Sequence, residues 1–550
     1  MILAPEARII ADATEIGDGG SIIVYGKETA RINGQLTARG GPHGGDGGFV
    51  ETSAAGTIEI AAEVEIDASA PAGEPGTWLI DPTDITIGIP DDPGTTVANT
   101  ILESVLQTGN NVEVDTSQPP YGNASDSGAG NITVAASIQP NLTEVYGNQQ
   151  VILTLTADNN VTINSGVTIG PTNTDAGSSM GVTITAGRNI TNNGTIDVAA
   201  GLGGAVNLTA ASNIALGRIN AGAGDITLTA GGAITGGNSR IKEYGSEEEN
   251  LVGGVVSLTT GGGIGASGDG DIDTAVTGID AQTTSGGIFI AETDAVQLGN
   301  SQAVTAGGPI QVTSGNTLTV GQAVTTTGAG GTVGLTANAG DLVINDQTIT
   351  ASGAVDLTAA NNVALGRVVA GSNAISVTAT SGAISDAKAG EDAGNENLVG
   401  GNISLTAGSG IGGATGDADI DTAVTSINAQ TTSGGIFIAE TSNVTLGTVT
   451  TGSGGSSIEV IADGDMTVAQ TVTTAGSGEI HLQATNSDLT VISGATVASA
   501  NGKIRLATGS GALILEDASG ASRRDDVYDA SPTRGVIRTD NADIELASMI

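Results

Sequence analysis

The chain copies itself over a long period. Residues 279–293 read IDAQTTSGGIFIAET, and residues 427–441 read INAQTTSGGIFIAET. A second pair of copies is GAVNLTAASNIALGR at 204–218 and GAVDLTAANNVALGR at 353–367. Self-similarity at a long period is typical of repeat architectures, in which each unit buries its apolar face against the next. The sequence therefore predicts stacked units and not one compact core.

A shorter unit lies inside each long copy. Segments such as VNLTA, ITLTA and VSLTT alternate apolar and polar residues, which is the pattern of a β-strand, and Gly, Asn and Ser separate them. Val206 and Ile226 occupy the same place in consecutive units, a spacing that fits one turn of a β-solenoid better than a hairpin. The 87 glycines then mark corners, while 13 prolines without a three-residue period exclude collagen. We predict an all-β parallel β-helix, an elongated rod with short loop inserts and one short helix.

Six sections follow from these patterns. We expect β-helix with long Gly-rich coils over 1–90, an irregular insert with a short helix over 91–130, β-helix coils over 131–203, a first long repeat over 204–351, a second over 352–501, and the start of a third over 502–550. Because the third copy is incomplete, we expect the chain to be a fragment.

Charge and composition limit the function. The formal net charge is -43, from 16 basic and 59 acidic residues. This charge excludes a general nucleic-acid-binding surface and disfavours binding to anionic lipid. Cysteine is absent, so a chain exported unfolded would form no stray disulfide. The sequence has no run of 18 apolar residues, so it predicts no membrane-spanning helix. Residues 1–15 lack the basic residues with which a signal peptide begins. We expect an export signal to have been removed, or this piece not to be the true start.

Several local predictions can be tested against a structure. Apolar strands should begin at Ile22, Phe49 and Trp78, and the tryptophan should have an inner or capping role. Residues 96–107 should form a helix, with Val97, Ile101 and Val105 on one side and Thr96 as a cap.

Other predictions concern which side chains face inward. We expect Phe289, Phe437 and Ile288 inside the β-helix and Thr283 and Thr284 outside. A set of asparagines that precede strands should form a ladder of turn residues tolerating left-handed geometry. Its members are Asn131, Asn160, Asn189, Asn213, Asn362 and Asn443.

Acidic rows recur in the two long copies. DGDID at 269–273 and DADID at 417–421 place three carboxylates outward, with Ile272 or Ile420 turned inward. A row of this kind could bind Ca²⁺ weakly, although it lacks the Gly and distant Glu of an EF-hand. Simple solvation is the alternative that the composition favours, so no metal ligand is assigned and no cofactor is predicted.

Catalytic patterns are weak. GSSMG at 177–181 matches G-x-S-x-G around Ser179, but that motif needs a strand-to-helix turn and a histidine, and His43 and His481 lie in distant coils. A β-helical glycan-degrading enzyme would need carboxylates, basic residues and aromatic platforms in one groove. Trp78 is the sole tryptophan, and the four lysines are scattered. We predict no catalytic residue and no enzyme.

Three charge-rich segments interrupt the repeat, at 238–250, 386–397 and 522–535. Inserts of this type form loops on one face of a solenoid. They are candidates for contact with partners, and solvated corners free to vary are the alternative.

One section carries a family resemblance. ARGGPHGGDGGFVETS at 38–53, followed by SAPAGEPGTWLIDPTDITI at 69–87, resembles the filamentous-haemagglutinin-like exoproteins of bacterial two-partner secretion. The detailed match covers roughly 19–87. The resemblance implies a right-handed parallel β-helix, exported across the outer membrane by a partner channel, that often serves as an adhesin. The NPN-type motifs of the family's secretion domain are absent, and QPNL at 139–142 is a poor substitute.

These observations together predict a secreted or surface-displayed stalk or adhesin that mediates attachment. Its partners would be the outer-membrane secretion channel, through a missing N-terminal domain, and a protein or glycan receptor. Two alternatives stay open: a β-helical polysaccharide-degrading enzyme, and a passive stalk that carries a toxin beyond residue 550. The expected location is extracellular or on the bacterial surface.

Overall fold

The computed structural model describes residues 1–117, 129–143, 149–175, 177–236, 249–388, 394–414, 418–452, 455–516, 522–523, 536–539 and 543–548. The structure is 51% strand. It divides into two compact units, Met1–Ile290 and Ala291–Ile550, and each unit is described by itself. The elements follow in chain order.

The described residues of the first part of the chain form 28 strands and one helix: β1 (Arg8–Ile10), β2 (Ser21–Gly26), β3 (Thr29–Ile32), β4 (Gln35–Thr37), β5 (Phe49–Ala54), β6 (Thr57–Ile60), β7 (Glu65–Asp67), β8 (Thr77–Asp81), β9 (Ile85–Gly88), β10 (Val97–Ala98), α1 (Asn99–Gln107), β11 (Asn111–Asp115), β12 (Ile132–Val134), β13 (Asn141–Leu142), β14 (Gln150–Ala157), β15 (Val161–Ile163), β16 (Thr168–Ile169), β17 (Asn173–Thr174), β18 (Ser179–Ala186), β19 (Ile190–Asn192), β20 (Thr195–Asp197), β21 (Val206–Ala210), β22 (Ile214–Leu216), β23 (Arg218–Asn220), β24 (Ile226–Ala230), β25 (Ile234–Gly236), β26 (Leu251–Thr260), β27 (Ile272–Thr283) and β28 (Ile288–Glu292).

The described strands of the second part are β29 (Val296–Leu298), β30 (Val304–Ala306), β31 (Ile310–Ser314), β32 (Leu318–Val320), β33 (Val324–Thr326), β34 (Val333–Ala337), β35 (Leu342–Val343), β36 (Thr348–Thr350), β37 (Val355–Ala359), β38 (Val363–Leu365), β39 (Arg367–Val369), β40 (Ile375–Ala379), β41 (Ile384–Asp386), β42 (Leu398–Val399), β43 (Asn402–Ala407), β44 (Ile420–Ala423), β45 (Ser426–Thr431), β46 (Ile436–Glu440), β47 (Val444–Thr451), β48 (Ile458–Ala462), β49 (Met466–Val468), β50 (Thr471–Thr474), β51 (Ile480–Ala484), β52 (Leu489–Val491), β53 (Thr496–Ser499), β54 (Ile504–Thr508), β55 (Leu513–Glu516), β56 (Ser522–Arg523), β57 (Val536–Thr539) and β58 (Ile544–Ser548).

Each coil of the first unit contributes strands to three faces. Face A stacks β2, β5, β8, β11, β14, β18, β21 and β24 in parallel, followed by the second halves of β26 and β27. Face B contains β3 with β6, and then β9, β12, β15, β19, β22 and β25. Face C contains β1, β4 and β7, and then β16, β20, β23 and the first half of β26. Because each strand pairs with its equivalent in the next coil, the spacing of Val206 and Ile226 is confirmed as one turn.

The second unit repeats this plan in its first coils. Face A contains β31, β34, β37, β40, β43 and β45, face B contains β29, β32, β35, β38 and β41, and face C contains β30, β33, β36, β39, β42 and β44. The fold is a right-handed parallel β-helix, as predicted. The handedness is the one that right-twisted strands favour for crossovers between parallel strands.

Apolar side chains form continuous inner rows. On face A of the first unit, one row runs through Leu153, Val182, Val206, Ile226 and Val256, and all five side chains are fully buried. Burying each such side chain stabilises the fold by about 1.5–3 kcal/mol. The residues between them alternate outward, so the period-two pattern in the sequence places the core correctly.

Threonine hydroxyls close the corner that follows face A. Thr431 ends β45 with its side chain buried, and its Oγ1 donates to the carbonyl of Gly434 at 2.9 Å. Gly434 has a φ of 79°, which explains glycine at that corner. Thr283 makes the corresponding bond to Gly286 and is only 6% exposed, so the prediction that it faces outward is wrong. Thr284, by contrast, is exposed as predicted.

The predicted asparagine ladder is present, but its geometry differs from the prediction. Asn131 Oδ1 accepts the backbone and side-chain N–H groups of Asn160, at 3.2 and 3.0 Å. Asn160 and Asn189 do the same for the asparagine that follows each of them. None of the six predicted asparagines has a positive φ, which among described non-glycine residues occurs only at Asp91 and Asn345. Asparagine therefore recurs at this position of the coil because its side-chain oxygen accepts N–H groups of the next coil.

The stacking shifts by one face within the second long repeat. β44, on face C, pairs with β46, whose sequence is of the type found on face A in earlier coils. β45, on face A, pairs with β47, whose two halves then pair with β49 and β50. Fewer residues separate Ile420 from its register partner Ile438 than separate Val355 from its partner Ile375. The shifted coil is shorter because it omits part of a turn. From β46 onward, β48, β51, β54 and β58 therefore stack beneath face C.

The helix replaces a face C strand in one coil. It buries Ile101, Leu102, Val105 and Leu106 and contacts β7 and β13. The predicted helix is confirmed, but it starts later than expected, because Val97 belongs to β10.

The predicted cap of this helix is wrong. Ala98 precedes the first turn and offers no side-chain cap, while the Thr96 hydroxyl accepts the N–H of Thr86 at 3.2 Å. At the other end, Asn110 Oδ1 accepts the N–H of Ala68 at 2.6 Å. The helix is thus fixed by its neighbours in the β-helix more than by local capping.

Aromatic residues were predicted with mixed success. Strands β2, β5 and β8 begin within one residue of Ile22, Phe49 and Trp78, as predicted, and Ile22, Val50 and Trp78 align in one inner row. Trp78 is fully buried, and its Nε1 donates to Thr52 Oγ1 at 3.1 Å, which confirms an inner role. The prediction for Phe289 and Phe437 is wrong.

Both phenylalanines lie between two inward isoleucines and are only partly buried. In β28 the inward residues are Ile288 and Ile290, and in β46 they are Ile436 and Ile438. The alternation of the strand decides the side on which each residue lies, and an aromatic residue cannot override it.

Candidate interaction surfaces

A ladder of threonines runs along the outside of face A in the first unit. Register pairs place one threonine of each of five consecutive coils in line: Thr156, Thr185, Thr209, Thr229 and Thr259. Adjacent members are separated by about 4.8 Å, the spacing of hydrogen-bonded strands. In the described part of the chain, no hydrogen bond ties these hydroxyls to other protein groups, so they are available to a ligand.

A second row flanks this ladder two residues earlier in each strand. It consists of Thr154, Thr183, Asn207, Thr227 and Ser257. All ten side chains are polar and uncharged, although the chain carries a net charge of -43. This part of face A is therefore a flat, neutral surface of hydroxyl, methyl and amide groups, with χ1 of its β-branched threonines restricted.

The second unit has an equivalent ladder. Thr313, Thr336, Thr358, Thr378 and Thr406 are in line on face A. The flanking row here includes the exposed carboxylate of Asp356, so the neutral character is less complete. In each unit, the same outward position of the strand is therefore a threonine in five consecutive coils.

A charged strip occupies the outer side of the coils after the face shift. Glu459, His481, Arg505 and Glu545 share one register position on β48, β51, β54 and β58. Glu459 Oε2 lies 2.9 Å from Nδ1 of His481. Nε2 of that histidine is shielded from solvent and has no hydrogen-bond partner within the described ranges.

The last coil of the strip is held by an ion pair. Lys503 Nζ contacts Glu545 Oε2, and this pair raises the pKa of the lysine and lowers that of the glutamate. Both side chains are close to half exposed, so solvent screens the pair and it adds little to the stability of the coil. Sequence inspection missed the strip because its members lie in separate coils.

The residues of the serine motif are not brought together with a histidine by any described contact. Ser179 is the first residue of β18, where it is 7% exposed and accepts the side-chain N–H of Gln150 at 3.3 Å. Ser179 thus lies in a strand and not in the strand-to-helix turn that the motif needs. His43 is exposed, with Nε2 3.9 Å from Glu15.

The acidic rows show no coordination geometry. Ile272 and Ile420 are fully buried, as predicted. Within the described ranges, no group of three or more Asp, Glu or His side chains is arranged to hold a metal ion. Asp417 lies outside those ranges.

The charge-rich inserts are described only at their edges. Residues 237–248, 389–393, 517–521 and 524–535 lie outside the described ranges. The base of the second insert is closed by Asn397, whose Nδ2 donates to Asp386 Oδ1 at 2.7 Å. Asn397 Oδ1 also accepts the N–H of Asp421 at 3.0 Å, which joins the insert's base to the next coil.

Comparisons with known proteins leave the family open. No protein-family model matches the chain, and no curated protein matches it. No helix in the described part is long and apolar enough to cross a membrane.

Proposed function

We propose that the chain is a stalk or adhesin segment of a secreted or surface-displayed bacterial exoprotein of the two-partner secretion type. The threonine ladder of face A is the observation that supports an attachment role. A row of threonines that recurs in five consecutive coils can contact a repeating surface at many points, and many weak contacts add up to strong attachment. Export through an outer-membrane channel is supported by the resemblance of residues 19–87 and by the absence of cysteine.

The ligand in this proposal is an uncharged, hydroxyl-rich surface, such as a neutral glycan. Threonine hydroxyls donate and accept hydrogen bonds, and their methyl groups pack on flat apolar patches. The strongly negative charge of the rest of the chain would repel acidic surfaces. A neutral partner suits this face best.

Paired substitutions test the proposal. Thr209→Asp with Thr229→Asp interrupts the ladder of the first unit in its middle and should weaken binding to immobilised neutral glycans or to cells. The matched control is Thr162→Asp with Thr191→Asp, which makes the same change on outward positions of β15 and β19 on face B. Equal binding by both double variants would contradict a role for face A.

The charged strip supports a second candidate, a β-helical enzyme acting on polysaccharides. A carboxylate beside an imidazole, with Arg505 and Phe437 at the same register position, brings acidic, basic and aromatic side chains together on one side of these coils. Release of reducing ends from glycans by the purified protein, lost in His481→Ala, would favour this candidate. No release from a broad glycan panel would leave the adhesin proposal.

A further inference from the structure

The most similar phrase of the two long repeats contains a buried carboxylate. Glu292 and Glu440 are 4% and 2% exposed, and both end a strand with the side chain pointing inward. In the coils that follow Glu440, the same inner position is occupied by Ala462 and Ala484. In the later copy, the coil in which the faces shift therefore has an inward glutamate where the two coils after it have alanine.

Four donors surround the Glu440 carboxylate. Oε1 accepts the N–H and the hydroxyl of Ser442, at 2.8 and 2.6 Å. Oε2 accepts the hydroxyl of Thr422 at 2.8 Å and the N–H of Val424 at 3.0 Å. Glu292 Oε1 accepts the N–H of Asp294 at 3.0 Å, which corresponds to the bond from Ser442 in the later copy.

The shift creates the need for this side chain. One coil earlier, the N–H of Gly400 donates to the backbone carbonyl of Ala423 at 3.2 Å. β46 ends at Glu440, so no carbonyl of that strand lies opposite Val424, and the carboxylate accepts its N–H instead. The glutamate thus completes the hydrogen bonding where the coil omits part of a turn.

The site can accommodate a proton without losing a partner. Thr422 Oγ1 lies 3.1 Å from the carbonyl of Ala439 as well as 2.8 Å from Glu440. When Glu440 is ionised, the threonine donates to it. When Glu440 is protonated at Oε2, the acid O–H can donate to Oγ1 and the threonine hydroxyl turns to Ala439. Both N–H groups keep an acceptor in either state.

The surroundings favour the protonated form. Burial raises the pKa of Glu440 above the ordinary value of 4.5, although the hydrogen bonds from Ser442, Thr422 and Val424 act in the opposite direction. The titratable groups on the adjoining elements are acids: Asp421 in β44, Glu459 in β48 and Asp463 directly after β48. Asp421 and Glu459 occupy outward positions of their strands, and Asp463 begins a corner.

We propose that Glu440 and Thr422 form a proton-dependent lock on the shifted coil, which is held more firmly when the glutamate is protonated than when it is ionised. The sign follows from linkage: a carboxyl whose pKa is raised by folding contributes stability below its unfolded pKa, and that stability is lost as the pH rises through the folded value. Glu292 occupies the same place in the first copy and is expected to act in the same way.

Hydrogen exchange at Val424 tests the proposal. Its protection, corrected for the intrinsic exchange rate, should fall by up to about tenfold per pH unit over the range in which Glu440 titrates above pH 4.5. Glu440→Gln cannot titrate, and its amide oxygen can accept from Val424 whereas its amide nitrogen cannot. Protection at Val424 in this variant should be independent of pH, whatever its level. The control Glu459→Gln, at an outward residue of β48, should retain the wild-type dependence.

Infrared spectroscopy supplies a second readout. The wild-type protein should show a protonated carboxyl band above pH 4.5 that is weaker in Glu440→Gln and, if that variant fails to fold, is weaker in Glu292→Gln. Protection at Val424 that does not change with pH in the wild type, or that changes equally in Glu440→Gln, would overturn the proposal.

Discussion

Asn189 donates both its backbone N–H and its side-chain N–H to Oδ1 of Asn160, at 3.2 and 3.1 Å. One oxygen therefore accepts two bonds from the next coil, and the arrangement recurs from Asn131 to Asn213. Asp84 begins the series by accepting the N–H of Asn131 at 2.8 Å. The corner is held by side chains at a place where the backbone turns away from strand pairing.

Asn160→Ala should weaken this corner. It leaves the N–H of Asn189 without its acceptor, which costs about 1–3 kcal/mol when the group is shielded. Asn160→Asp should cost less, because Asp84 and Asp341 already accept N–H groups in this way. Hydrogen exchange of the Asn189 amide measures the effect, and the exposed Asn207→Ala is the control. Equal exchange in all three variants would contradict the ladder's role.

Thr52→Val should leave the indole N–H of Trp78 without a partner. Both residues are fully buried, so we expect a loss of about 1–3 kcal/mol, whereas Thr52→Ser keeps the hydroxyl and should cost less. Trp78 is the sole tryptophan, so its fluorescence reports this coil directly. Unfolding followed by the fluorescence of Trp78 should begin at a lower denaturant concentration in Thr52→Val than in the wild type. An unchanged midpoint would count against the hydrogen bond between Thr52 and Trp78.

Ile288→Asp should disrupt stacking, because Ile288 is fully buried in an inner row and an unpaired charge there is costly. We expect a loss of more than about 4 kcal/mol, the range of severe core lesions. The matched change at the nearby exposed residue, Thr284→Asp, should cost about 0.5 kcal/mol or less. Protease resistance of the two variants separates them, and similar resistance would mean that the assigned register is wrong.

Glu113→Gln should stabilise the protein at neutral pH. Burial, with a contribution from nearby Asp115, raises the pKa of Glu113 above 4.5. Its stabilising contribution is present below the unfolded pKa and is lost as the pH rises through the folded value, so the ionised form is the less favourable one. Denaturant midpoints of the two proteins should be similar near pH 4 and should differ at pH 7–8. A difference that is largest at acid pH would reverse this assignment.

Strand periodicity was enough to predict a parallel β-helix, while its right-handedness was predicted from the family resemblance. Alternation in segments such as 206–210 and 226–230 states which side chains face inward, and the register pairs confirm it. The errors at Phe289, Phe437 and Thr283 arose where residue type was weighed above alternation. Thr283 is buried because its hydroxyl finds a carbonyl at the corner, a bond that no periodicity reveals.

The surfaces were harder to predict than the core. The threonine ladder appears only when coils of different length are aligned, since Thr185, Thr209 and Thr229 are unevenly spaced in the sequence. The charged strip and the Glu440 site depend on the face shift, which moves strands of one sequence type to the next face. A sequence repeat gives the order of the strands and not the side on which each copy will lie.

Because of the face shift, a duplicated strand lies on a different face of the β-helix as well as further along it. Before it, strands of the five-residue type point their threonines outward on face A; after it, strands of the same type lie around the next edge and point Glu459, His481 and Arg505 outward. A single repeated sequence can in this way supply neighbouring sides of one solenoid with different chemistry. Two partners could then be held at an angle to each other without a hinge or a second domain.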